Sequence, residues 1–269
     1  MRAEQAIYTS ARTKRTRGYH LVSQSPGIDE ELARSLTRWC PSHGGLASSQ
    51  TDAASINFQP LNDGWVALSR TIYGGPEYSS RGGLQVVTRV MLLRYEQLAG
   101  YDSDPVMLAI VALSLGHLRL EASVPEELPL IELPDRPLRV PYPDCDGPTT
   151  AAVHHLWNCV TSGKRVAVLG MPNPMAAVAE LFTRIPERKR LDISFTTGLK
   201  PSMYRPFQLH FLPEADFALQ QLLVSQGVSL LSCEPPSHSS PNRTGITSFE
   251  TAPAGVPTRV IGMGVPGRA

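Results

Sequence analysis

The segment Thr196-Thr197-Gly198-Leu199-Lys200-Pro201-Ser202, with Arg205 three residues further on, combines hydroxyls, a flexible glycine and two cations. Thr197, Lys200, Ser202 and Arg205 are therefore the best local candidates for a site. A loop of this kind after a strand can hold an anion or a partner through backbone N–H groups and charge. It reads equally well as a rigid turn whose Thr and Ser cap the backbone. Arg81 is a fifth candidate, before Gly82-Gly83. Those glycines suit a turn or bulge entering a strand. A structural ion-pair role for Arg81 is preferred over a contact role.

Other chemistry is present only in fragments. Gly163-Lys164 lacks the spacing of a phosphate-cradling P-loop, since Asn158 and Arg165 stand where that motif needs Gly and Ser or Thr. The chain is thus not expected to be a GTPase itself. Gly262-Met263-Gly264-Val265-Pro266-Gly267 fits GxGxxG in form, but it lies in a proline-rich stretch that no helix can follow. Cys40 with His43, and His155 with Cys159, each offer two ligands where a structural zinc takes four. Glu126-Glu127 lie among prolines, where a carboxylate is poorly held for acid–base work. No metal, cofactor or catalytic residue is expected. The basic run Arg12-Thr13-Lys14-Arg15-Thr16-Arg17 could meet phosphates. Only Tyr8 and Tyr19 flank it as stacking groups, so a solvated hairpin loop is preferred and nucleic acid is not expected.

These residues need elements to place them. Of 269 residues, 42% are apolar and 18% charged, and 25 Lys and Arg oppose 24 Asp and Glu. Such a chain is globular and does not bind polyanions by overall charge. The longest apolar run, Val106 to Leu113, is far below the roughly 20 residues of a membrane span. No secretory signal is expected from Met1-Arg2-Ala3-Glu4-Gln5, and the four cysteines form no close pair. Free thiols and a cytoplasmic location are expected. Of the 24 prolines, seven fall between Pro125 and Pro148 and six from Pro235 onward. The first cluster predicts an extended connector, and the second a mostly disordered tail.

Strands are predicted at 18–23, 56–61, 65–73 and 84–93, with Asn62-Asp63-Gly64 as a hairpin turn. Helices are predicted at Ile28 to Cys40 and from Asp104-Pro105 to about Gly116. Beyond residue 149 helices and strands alternate. Helices are expected at 150–161, 174–185 and 215–226, with strands at 165–169, 192–197, 207–212 and 228–232. The fold class is α+β: a mixed sheet with hairpins in the N-terminal part and a smaller α/β layer in the C-terminal part. The expected divisions are 1–124, a connector at 125–148, 149–234 and a tail at 235–269. Whether the two parts share one core is left open.

Three stretches carry a family resemblance. They are Ile7-Tyr8-Thr9-Ser10 leading to Gly18-Tyr19-His20-Leu21-Val22-Ser23-Gln24-Ser25-Pro26-Gly27, then Pro76-Glu77-Tyr78-Ser79-Ser80-Arg81-Gly82-Gly83, then Leu191 to Ser202 with Arg205-Pro206-Phe207. In this order they resemble the N-terminal and middle domains of the bacterial GTPase-associated protein family, over about residues 5 to 215. The resemblance implies an adaptor encoded beside GTPases in bacterial NTP-dependent conflict systems. It implies a GTPase-type protein partner and no catalytic residues. Two other readings stand beside it. One is an enzyme with a composite site where the two parts meet, built around His20, His117 and His210. The other is a structural subunit of a larger assembly, with the tail as docking peptide.

Overall fold

The computed structural model describes residues 1–12, 16–77, 83–119, 124–136, 142, 147–233 and 248–249. The chain opens with an antiparallel hairpin, β1 (Arg2–Arg12) and β2 (Arg17–Gln24), with Thr9 opposite His20. The α1 helix (Glu30–Trp39) starts at Asp29, whose carboxylate accepts from Leu32 N at 2.8 Å. Its Leu32 and Leu36 are buried, as the helical spacing requires.

The hairpin predicted around Asn62-Asp63-Gly64 joins β3 (Ala54–Pro60) to β4 (Trp65–Pro76). Asp63 (φ 57°) and Gly64 (φ 73°) both sit in the left-handed region. Asp tolerates that region and Gly enters it freely, so this tripeptide suits the turn. β5 (Leu84–Arg94) runs antiparallel to both β4 and β1. Two helices follow, α2 (Tyr95–Leu98) and α3 (Pro105–Ser114). Asp104 caps α3 through Val106 N at 2.8 Å and Met107 N at 3.2 Å, with Pro105 at its first position.

Residues 137–141 and 143–146 of the expected connector are outside the described residues, and the described part of the proline-rich stretch, residues 125–136, lies against the sheet. Its short strand β6 (Ile131–Glu132) pairs with Ala3 and Arg2 of β1, and Leu128, Ile131 and Leu133 are buried. The second half then runs α4 (Gly147–Thr161), β7 (Arg165–Leu169), α5 (Pro174–Arg184), α6 (Glu187–Arg190), β8 (Phe195–Thr196), β9 (Leu209–Leu212), α7 (Phe217–Ser225), β10 (Val228–Ser232) and β11 (Ser248–Phe249).

The strand expected at 192–197 is only β8. Asp192 N and Ile193 N bond back to the Lys189 and Arg190 carbonyls, continuing the preceding helical turn. The strand expected from Phe207 begins at Leu209, because Gln208 N and Leu209 N both donate to Ser194 O. Of the tail, only β11 lies within the described residues, opposite Leu230 and Leu231 of β10.

The eleven strands of the described residues belong to one sheet, in the order β11-β10-β7-β9-β8-β3-β4-β5-β1-β2, with β6 on β1. The first half is antiparallel, whereas β10, β7, β9 and β8 run parallel to one another. The halves meet where β8 pairs antiparallel with β3, Phe195 opposite Phe58 and Thr196 opposite Asn57. The fold is α+β with a mixed sheet. The largest core covers one face, where α3, α4 and α5 pack on Phe58, Leu68, Leu93, Phe195 and Phe211. Residues of both halves share it. On the other face α1 covers Ala6, Tyr8, Val90 and Leu92, while α7 covers Ala167, Leu212 and Leu230.

Candidate functional site

Between α1 and α7 that second face is polar. Thr88 of β5 stands opposite both Tyr8 of β1 and Thr71 of β4. Ser55 and Asn57 of β3 stand opposite Thr71 and Ser69 of β4. Asn57 also faces Thr196 of β8, which faces His210 of β9. A row of polar side chains thus crosses six strands, and every member is buried.

Asn57 organises the row. Its Oδ1 accepts from Ser55 Oγ at 2.7 Å and Thr196 Oγ1 at 2.6 Å, and its Nδ2 donates to Ser69 Oγ at 3.2 Å and Thr71 Oγ1 at 3.3 Å. All four bonding positions of the amide are used. Thr71 and Thr88 hydroxyls meet at 3.0 Å. Asn57→Ala is expected to lower stability by about 2 kcal/mol, because it strands several buried hydroxyls. Urea unfolding checks this: the midpoint should fall with an unchanged slope against denaturant.

Two loops cover the row. Residues 41–53 and 197–207 are joined by Ala47 N to Gly198 O at 2.8 Å, Lys200 N to Gly45 O at 2.8 Å, and a bridge of Leu46 with Leu199. Leu46, Leu199 and Phe207 pack together under Trp39 and Tyr73. Gly198 passes so close to β3 that a Cβ there would sit 3.2 Å from Ala54 O, which explains a glycine at this position.

The predicted site residues lie in the second loop, apart from Arg81, which is outside the described residues. Thr197 Oγ1 accepts from Ile56 N at 2.8 Å, and Ser202 Oγ from Tyr204 N at 3.3 Å. Lys200 is exposed, and Arg205 is half-buried. Neither cationic side chain has a hydrogen bond or ion pair among the described residues, and Arg205 Nε is buried without a partner.

Arg205 is within electrostatic reach of Tyr8 and His210, at the two ends of the polar row, and of Cys40 at the C-terminal end of α1. Burial pushes the Cys40 thiol up to about 12, against the pull of Arg205. Burial likewise raises the Tyr8 phenol to about 12, with Cys40 and Tyr19 adding to it. His210 is pushed down to about 4, first by burial and then by the Arg165 and Arg205 cations. At neutral pH the three are uncharged. The thiol is a poor nucleophile in that state, since the thiolate is the reactive form. The guanidinium remains a cation, which burial pulls below its ordinary value. What the arrangement offers is a positive group facing no compensating anion among the described residues.

The histidines named for a composite site are separate. His20 Nδ1 contacts Gly18 O at 2.8 Å in β2, His117 Nε2 contacts Glu132 O at 3.1 Å beyond α3, and His210 is buried in β9. No three His, Cys, Asp or Glu side chains gather as metal ligands among the described residues. No helix among them is long and apolar enough to cross a membrane.

Residues 2–130 match the model of a known domain family, GTPase-associated protein 1, N-terminal domain type 2. The segment resembles a domain of this family. This GTPase-associated domain contains strands β1 to β5 and helices α1 to α3, and it supplies Tyr8, Cys40, Asn57 and Thr88 to the polar row and its surroundings. Thr196, Arg205 and His210 come from beyond the matched residues. Searches of curated proteins and of solved structures returned no match.

Proposed function

We propose that the chain is a non-enzymatic adaptor or regulator acting with a GTPase-type partner in a bacterial conflict system, in the cytoplasm. The observation that carries this reading is the GTPase-associated domain over residues 2–130. The chemistry of the polar row supports the non-enzymatic part. With the thiol and phenol held near 12 neither is ionised to act as a nucleophile at neutral pH, and a histidine held near 4 is only a weak base.

Co-expression with the GTPase encoded beside the gene tests the proposal. The chain is expected to co-purify with it in at least one of the GTP-bound, GDP-bound and nucleotide-free states. Absence of a complex in all three would overturn the reading.

A further inference from the structure

The loop from Leu199 to Pro206 presents an unusual surface. Met203 is 73% exposed and Tyr204 68% exposed, and they stand between Lys200 and Arg205. Large apolar side chains side by side on a surface mark contact sites more often than isolated ones do. The cations beside them have no counter-ion among the described residues. Arg205 Nε is buried without a hydrogen-bond partner. Desolvating a cation is costly until an anion meets it, and a planar guanidinium suits a carboxylate in a two-point contact.

We propose that this loop docks an acidic segment of the GTPase partner, with a carboxylate on the Arg205 guanidinium, a second near Lys200, and an apolar side chain against Met203 and Tyr204. The inference rests on the GTPase reading for the identity of the partner, but not for the chemistry of the surface. A protein segment fits better than a nucleic acid. A phosphodiester backbone is followed by a track of cations with several stacking rings, whereas this loop carries two cations, one aromatic ring and an exposed methionine. The position is also favourable. Phe207, just beyond Arg205, packs edge-on against Trp39 at 5.0 Å, so the loop is held between the family domain and the second half.

Two measurements test it on the full chain. The first is fluorescence anisotropy with a labelled random Glu/Tyr copolymer, beside an oligo-dT of matched charge. The copolymer is expected to bind. Lys200→Glu and Tyr204→Ser, both at exposed positions, should each weaken it at least tenfold, and Arg205→Gln at least as much. Phe217→Ser removes a side chain that is 74% exposed on α7 and should leave binding unchanged. Undiminished binding by the Lys200 and Tyr204 variants would overturn the proposal, as would tighter binding of oligo-dT or an equal loss with Phe217→Ser. The second measurement repeats the GTPase co-purification with the same variants. If the wild-type chain co-purifies and the loop variants do so equally well, the docking surface is wrong and the GTPase reading stands. If the wild type fails to co-purify but binds the copolymer through the loop, the GTPase reading is wrong and the acidic-segment surface stands.

Discussion

Replacing Phe195 with alanine is expected to lower the stability of the whole chain by about 3–5 kcal/mol. Phe195 is fully buried on β8, stacked on Phe58 of β3 at 6.1 Å and edge-on to Phe182 of α5 at 6.0 Å. With the Trp39–Phe207 pair, it is one of the aromatic contacts between the first half and the second. A loss of that size is a large fraction of the about 5–15 kcal/mol that holds most domains folded. The shared core adds a sharper expectation. Trp39 and Trp65 report on the first half and Trp157 of α4 on the second. Urea titration of single-tryptophan variants should give coincident transitions, all shifted together by Phe195→Ala. A shift in the Trp157 signal alone would show that the two halves fold as separate units.

Mild acid is the second large effect. Folded His210 is held down at about 4, against 6.5 for an unperturbed histidine. The unfolded chain therefore takes up this proton first as pH falls. The stability that His210 contributes is fully present above about pH 6.5 and is lost progressively between 6.5 and 4. Below that interval the folded state is protonated too, and the loss stops growing. The interval corresponds to about 3 kcal/mol. The cause is first burial and then the Arg165 and Arg205 cations, so protonation would place a third positive charge beside them. His210→Gln should flatten the stability profile across this range, measured by urea midpoints at pH 7, 6, 5 and 4. An unchanged slope in the variant would assign the acid sensitivity to other groups.

Local features of the fold were legible in the residues. Asn62-Asp63-Gly64 marked its hairpin, Asp104-Pro105 opened α3, and the apolar run at Arg165 to Leu169 made a buried strand. What failed was local where backbone bonds to neighbours decided the outcome. Asp192-Ile193 looks like the start of a strand, yet its N–H groups finish a helical turn. The continuity of the sheet was not legible at all. It depends on β8 reaching β3, and Asn57 and Thr196 are 139 residues apart in sequence.

The candidate site was half visible. The 197–205 loop stood out by its hydroxyls and cations, but Thr197 and Ser202 spend those hydroxyls on backbone N–H groups. The polar row was hidden by its own pattern. Ser55, Asn57 and Gln59 alternate with Ile56 and Phe58, which reads as a strand with one wet face. Here the Ser55 and Asn57 part of that face is closed over by residues 41–53 and 197–207, and those two side chains bond Ser69, Thr71 and Thr196 across strands instead of meeting water. The one signal available was chemical: Asn is uncommon in strand interiors and needs partners when buried.

The seam between β3 and β8 also sets an order of events during synthesis. Within the family-matched segment β1 pairs with β2, and β3, β4 and β5 pair in sequence order, so these strands can pair soon after they leave the ribosome. Meanwhile the outer edge of β3 has no strand beside it, and that edge waits for a segment made much later. Bare strand edges invite pairing with other chains, and distant pairings form slowly. The nascent chain therefore passes through a stage in which half of its sheet is complete and sticky along one side. Arrival of Phe195 and Thr196 ends that stage, so the short strand β8 acts as the closing stitch of assembly as well as a member of the finished sheet.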